Sequence, residues 1–256
     1  MPATRRQGRG IIIVLLLLCS LAANAFLIWL VREQYRETLR VRLDPTSATA
    51  FVPMNSALPA LPVGQRRIVF VGDSRTEMWG QLPTVKDCQT VNRGKSHDTS
   101  GQLLLRLERD VIALKPDLVF LEVGANDLKS IGALPEDEQR IKNRLKENVH
   151  VVLDRLAANG IPVVISTVFP FGSVTLRRRP VWSDRIVVAR DEWNEEIRAM
   201  NRPGVAIFDA ERVLAMDGRL KPEFALDDLH LNGAGYDALN AALPPILEGA
   251  IRRAVP

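Results

Sequence analysis

RIVFVGDSRTEMW, residues 67–79, decides the fold. The run Ile68–Val71 is short, β-branched or aromatic, and apolar without alternation, which describes a strand buried on both faces better than an amphipathic helix. Gly72-Asp73-Ser74 then breaks the run, and a helix start follows. The same alternation continues downstream. Candidate strands at Thr90–Val91, Leu118–Val123, Pro162–Val168 and Val205–Phe208 are separated by amphipathic stretches near 100–114, 136–159, 186–201 and 233–252. Continuously apolar strands alternating with helices imply an α/β fold, with a parallel sheet of about five strands covered on both faces. In such sheets ligands bind beyond the carboxyl ends of the strands, so that edge is where chemistry is expected.

Four short blocks fall there. Ser74 stands where a strand ends and a helix begins, so its hydroxyl is placed to attack a carbonyl while its N–H joins the unpaired donors of the helix start. Asp and Ser are also preferred helix caps, which is the plain structural reading of the same residues. In VGAND, residues 123–127, Gly124 permits a tight turn and Asn126 offers a side-chain N–H pair off the end of an apolar strand. An oxyanion needs such fixed donors, although a simple Asx turn has the same spelling. In FALDDLHLNGAGY, residues 224–236, Asp227 lies three residues before His230, close enough in a turn to hold the imidazole N–H and fix the tautomer that accepts a serine proton. Asp228 competes for that role. In VNRGKSHDTS, residues 91–100, Gly94 follows the weak second strand and is a candidate backbone donor.

Together these blocks resemble those of the SGNH hydrolases, the GDSL-type esterases and lipases, whose naming residues read here as Ser74, Gly94, Asn126 and His230. The match runs from about Ile68 to the end of the chain. The branch it is most similar to contains platelet-activating-factor acetylhydrolase-like enzymes and acyl or acetyl esterases. The resemblance implies a flavodoxin-like three-layer α/β/α sandwich needing no metal and no cofactor. It also implies a Ser74–His230–Asp227 triad, an oxyanion hole formed by the Ser74 and Gly94 N–H groups with the Asn126 side chain, and hydrolysis of acyl esters, acetyl esters among them, through an acyl-enzyme. O-acyl transfer to cell-envelope saccharides would use the same residues with a sugar hydroxyl in place of water. A catalytically silent, envelope-tethered binding module is the reading from a different class. The family branch usually has small or apolar residues where this chain has Arg75, Lys95 and His97, and these departures point toward an anionic ligand.

Outside the blocks the sequence is informative mainly at its start. Residues 11–31, IIIVLLLLCSLAANAFLIWLV, carry no charge, and at ~1.5 Å per residue they reach across a hydrocarbon core of ~30 Å. A basic start and Ala23-Asn24-Ala25 also fit a cleaved signal peptide, but the run continues apolar to Val31, which favours an uncleaved transmembrane anchor. The expected organisation is therefore a basic tail at 1–10, an anchor at 11–31, a stalk at 32–64 containing Pro45, Pro53, Pro59 and Pro62, and a hydrolase domain at 65–256. The domain is expected outside the cytoplasm, on the periplasmic side if the host is bacterial.

The net charge of +4 owes much to arginines flanking the apolar run, which suit anionic headgroups. No basic stripe with interleaved aromatics recurs in the body of the chain, so nucleic acid is not an expected partner. An acyl ester of a glycan or a lipid is. Two cysteines and three histidines leave little material for a disulfide framework or a metal site. The stretch from Phe171 to Arg190 is long for a connection on the active edge and reads as a lid or substrate loop. Within it Arg177, Arg178 and Arg179 are candidates for steering acidic substrates, or simply for a solvated loop.

Overall fold

A computed structural model describes residues 3–176 and 178–254. The chain divides into two units, one up to Thr49 and a second from Ala50 on.

The first unit is chiefly one helix, α1 (Ala3–Leu43), which stops two residues before Pro45. Pro lacks an N–H and disfavours helical backbone just ahead of it. From Gly10 to Leu43 none of the most apolar window is buried, and the helix is long and apolar enough to cross a membrane. A signal sequence has the same properties.

The second unit begins within the stretch expected to be a stalk. There α2 (Ala48–Ser56) forms despite Pro53, and Phe51 is buried over the guanidinium groups of Arg93 and Arg106, 5.9 and 5.1 Å from ring centre to each. Five parallel strands follow: β1 (Arg66–Gly72), β2 (Cys88–Gly94), β3 (Leu118–Leu121), β4 (Val163–Ser166) and β5 (Val205–Phe208), in spatial order β2-β1-β3-β4-β5. The weak second strand is longer than its sequence suggests, because all seven residues of β1 find partners in it, from Arg66–Cys88 to Gly72–Gly94.

Side-chain alternation builds two cores. Val69, Val71, Val119 and Leu121 face α4 (Ser100–Asp110), α6 (Glu138–Ala158) and α7 (Asp184–Arg198). Ile68, Phe70, Leu118 and Phe120 face the opposite way, toward α9 (Gly233–Ala242) and α10 (Pro244–Ala254). The result is the three-layer α/β/α sandwich. The single C-terminal helix expected at 233–252 is instead two, because Pro244 and Pro245 end α9 and restart the chain as α10. Short helices α3 (Ser74–Glu77), α5 (Ala125–Lys129) and α8 (Ala210–Leu214) begin directly after β1, near the end of β3 and after β5. A small hairpin of β6 (Ala215–Met216) and β7 (Arg219–Leu220) completes the unit.

The strand order reverses between β1 and β3, since the chain leaves β1 for β2 and then crosses back to β3 on the other side. That crevice is where ligands of doubly wound sheets bind.

Candidate active site

Ser74 opens α3 at the end of β1, half-buried, with Asp73 as cap: the Asp73 carboxylate accepts the Arg75 N–H at 2.9 Å. The turn is too tight for any side chain at Gly72. A Cβ there would lie 2.2 Å from the Thr76 hydroxyl and 2.5 Å from the Glu122 carbonyl oxygen. Being the first residue of the helix, Ser74 has no intrahelical acceptor for its own N–H.

His230 arrives from the turn before α9. That turn is closed as a hairpin by the Ala225–Leu231 bridge and by the Leu226 N–H donating to the His230 carbonyl at 2.9 Å. Its Nε2 lies 3.0 Å from the Ser74 hydroxyl, and its Nδ1 lies 2.8 Å from Asp227 Oδ2. The other Asp227 oxygen accepts the N–H groups of Leu229 and His230, each at 2.7 Å. Partial burial pulls the Asp227 carboxyl upward, but the imidazole and the two amides outweigh it and hold the group below the usual carboxylate range. An ionised carboxylate at Nδ1 keeps the proton on that nitrogen, leaving the Nε2 lone pair facing Ser74. Asp228 turns the other way. It is buried, accepts the Arg178 Nε–H at 2.7 Å and lies 3.3 Å from the Thr175 hydroxyl, so it holds Thr175 and Arg178.

Asn126 stands in the first turn of α5, across the crevice from β1, after Gly124 whose φ of 118° is open mainly to glycine. Its Nδ2 donates to the Asp98 carbonyl at 2.9 Å, and its Oδ1 accepts from Lys129 Nζ at 2.9 Å. One Nδ2 hydrogen remains for a ligand.

Gly94 does not fit the donor role expected of it. Its only N–H is donated to Asn92 Oδ1 at 2.8 Å. Its requirement is steric: a Cβ would sit 2.1 Å from the Glu77 backbone nitrogen, so β2 and α3 approach this closely only over glycine. Asn92, unremarked in the sequence, also donates from Nδ2 to the Thr76 carbonyl at 2.7 Å and ties β2 to the helix that carries Ser74.

Beneath the turn lies a floor of buried charge. Arg75 is 1% exposed, with Nη2 2.9 Å from Glu122 Oε1, Nε 3.6 Å from Asp73 Oδ1, and Nη1 donating to the Phe169 carbonyl at 3.1 Å. Tyr236 donates its hydroxyl to the Arg75 carbonyl oxygen at 2.8 Å. Burial pushes Glu122 up to about 8, with the Arg75 guanidinium opposing the shift and Asp73 adding to it. Arg106 is also fully buried, donating to Asp98 at 2.6 Å and to the Gly72 carbonyl at 3.2 Å. Burial likewise raises Asp127 to about 6, although the Ser100 hydroxyl and N–H donate to it at 2.6 and 2.9 Å.

The anionic-ligand expectation attached to Arg75 therefore falls, because that side chain points into the protein. Lys95 is paired with Asp98 at 3.2 Å, and His97 is exposed with φ 68°. Of the arginine run, Arg178 is committed to Asp228, and Arg177 lies outside the described residues. Among the described residues no group of three His, Cys, Asp or Glu is placed to hold a metal ion. An open groove of about 410 Å³ runs beside α3 and the His230 turn, lined in part by Met78, Gln81, Leu226, Leu231 and Tyr236.

Residues 70–238 match the model of the GDSL-like lipase/acylhydrolase family. Solved structures with the same fold include a GDSL-like lipase of Bacteroides thetaiotaomicron, 24% identical over 82% of this chain and 99% of that one, with a TM-score of 0.61. A protein of Streptococcus pneumonia described as a platelet activating factor is 23% identical over 85% and 98%, with a TM-score of 0.66. An acetyl-xylooligosaccharide esterase of Geobacillus is 21% identical over 72% and 95%, with a TM-score of 0.51. No curated protein matches the sequence.

Proposed function

Since the chain belongs to the GDSL-like lipase/acylhydrolase family and is an ester hydrolase, we propose that it works by acyl transfer through Ser74, with His230 as general base and Asp227 as the residue that orients the imidazole and stabilises its charged form. The carrying observation is the continuous line from the Ser74 hydroxyl to His230 Nε2 at 3.0 Å and from Nδ1 to Asp227 at 2.8 Å.

In the first half-reaction Ser74 Oγ bonds to the ester carbonyl carbon while Nε2 takes the hydroxyl proton. The carbonyl oxygen becomes an oxyanion and meets the Ser74 N–H and the unspent Asn126 Nδ2 hydrogen. The carbon–alkoxide bond then breaks, His230 returns its proton to the departing alcohol, and an acyl-Ser74 ester remains. Water repeats the sequence with His230 again as base and releases the acid. Throughout, Asp227 stays ionised and stabilises the imidazolium.

Acyl esters of glycans or lipids are the proposed substrates. The groove beside Met78 and Leu226 offers partly apolar space beside the end of α3 and the turn that carries His230. Residues 11–31 are proposed to remain as an anchor with the catalytic unit outside the cytoplasm. Retention in carbonate-washed membranes, with the domain open to added protease in cells stripped of their outer layer, is the expected result. A mature chain starting after Ala25 would overturn it.

Turnover of a short-chain nitrophenyl ester by the purified chain tests the chemistry. Ser74→Ala is expected to remove it, and undiminished hydrolysis by that variant would defeat the proposal.

A further inference from the structure

We propose that Lys129 is a positioning residue for the oxyanion hole, fixing and polarising the Asn126 carboxamide. Resting on the acyl-transfer reading above, the inference adds a residue that none of the four sequence blocks singles out.

Lys129 ends α5, three residues after Asn126, and so shares its helix face. Its Nζ donates to Asn126 Oδ1 at 2.9 Å, while Asn126 Nδ2 donates to the Asp98 carbonyl at 2.9 Å. An ammonium cannot accept and a carbonyl cannot donate, so the two contacts permit only one orientation of the amide. Without the ammonium, a flip would sacrifice only the Asp98 contact and would turn an acceptor toward the developing oxyanion.

The charge has a second effect. A charge-assisted hydrogen bond to the amide oxygen draws electron density from the nitrogen and makes the remaining Nδ2 hydrogen a better donor. Lys129 is half-buried and, among the described residues, makes no ion pair. Burial, together with the nearby Arg178, lowers its pKa, while Asp73 and Asp228 act in the opposite sense. An unpaired cation held at this depth is costly for folding, and its hydrogen bond among the described residues goes to the residue proposed to hold the transition state.

The test compares Lys129→Met and Lys129→Arg with the unmodified full chain on a neutral acetyl ester and on one bearing a carboxylate. Deleting an oxyanion donor outright costs ~10²- to 10³-fold, so an indirect loss in Lys129→Met is expected to lower kcat by about tenfold on both esters, with KM little changed. Lys129→Arg should recover most of that loss. In an Asn126→Ala background, Lys129→Met should cost almost nothing further, because the interaction it serves is gone.

An unchanged kcat for Lys129→Met overturns the proposal. So does an effect confined to KM for the carboxylate ester, which would make Lys129 a substrate ligand, or an equal loss with and without Asn126. Ser74→Ala and the unmodified chain are assayed alongside. If the unmodified chain hydrolyses the neutral ester and Ser74→Ala does not, the acyl-transfer reading stands whatever Lys129 does.

Discussion

The two sides of the Ser74 crevice are built differently. The Ser74 side rests on buried charge, where Arg75, Glu122 and Asp73 lie beneath the turn and Asn92 and Gly94 tie it to β2. The His230 side rests on one hairpin turn and one carboxylate, whose side chain is 38% exposed. A buried ion network contributes rigidity at a high cost if one member is lost, whereas a half-exposed turn leaves the global fold nearly indifferent to its side chains. Substitutions on the Ser74 side should therefore act first on stability, and those on the His230 side first on rate.

The largest expected effect is on the His230 side. Asp227→Asn cannot hold the imidazole in the needed tautomer, and a loss of ~10⁴ in kcat is expected, with the thermal midpoint nearly unchanged. The neighbouring Asp228→Asn should do the reverse, lowering the midpoint by freeing Arg178 while kcat changes only a few-fold. Equal kinetic losses in the two variants would erase the distinction between these carboxylates.

On the Ser74 side, Arg75→Met strands the buried Asp73 carboxylate without its cation and removes the Glu122 partner, and a loss of ~3–5 kcal/mol in urea unfolding is expected. A stability change within error would show that the floor is not what holds the turn. Phe51→Ala should cost about 3 kcal/mol by uncovering the Arg93 and Arg106 guanidiniums, which bears on whether the catalytic unit needs residues ahead of position 60.

The last expected effect is in pH dependence. Glu122 is raised from 4.5 to about 8, so between those values the folded state holds a proton that the unfolded state has released. Stability should then fall as pH rises through that window, and Glu122→Gln should flatten the decline in unfolding midpoints measured from pH 5 to 8.

Much of this asymmetry was hidden in the sequence. The strands were legible because the runs at 68–71 and 118–121 are apolar at every position, and the crevice was legible because Ser74 and Asn126 follow directly on such runs. His230 and Asp227 were readable because a three-residue spacing suffices for contact within one turn. The β2 strand was nearly invisible, since Cys88–Gly94 is polar at most positions and its identity comes from pairing with β1.

Gly94 could be recognised as special, but only coordinates show that its need is closeness to Glu77 rather than a free N–H. Arg75 looked like a ligand-facing cation because one-residue shifts in a short helix turn a side chain from crevice to interior, and no local pattern records which. Glu122 and Arg106 acquire their roles from burial and from partners distant in the chain, which no motif encodes, whereas Lys129 lies only three residues from Asn126 and its spacing was readable although its burial was not. A boundary signal for α2 was masked by Pro53, whose presence argues against helix when read alone.

The most direct test is covalent labelling of the full chain with a fluorophosphonate, followed by peptide mapping by mass spectrometry. A single adduct on Ser74 is expected, absent from heat-denatured protein and formed far more slowly in Asp227→Asn. An adduct on another serine, or none on native protein that still hydrolyses a nitrophenyl ester, would contradict the assignment of Ser74 as nucleophile.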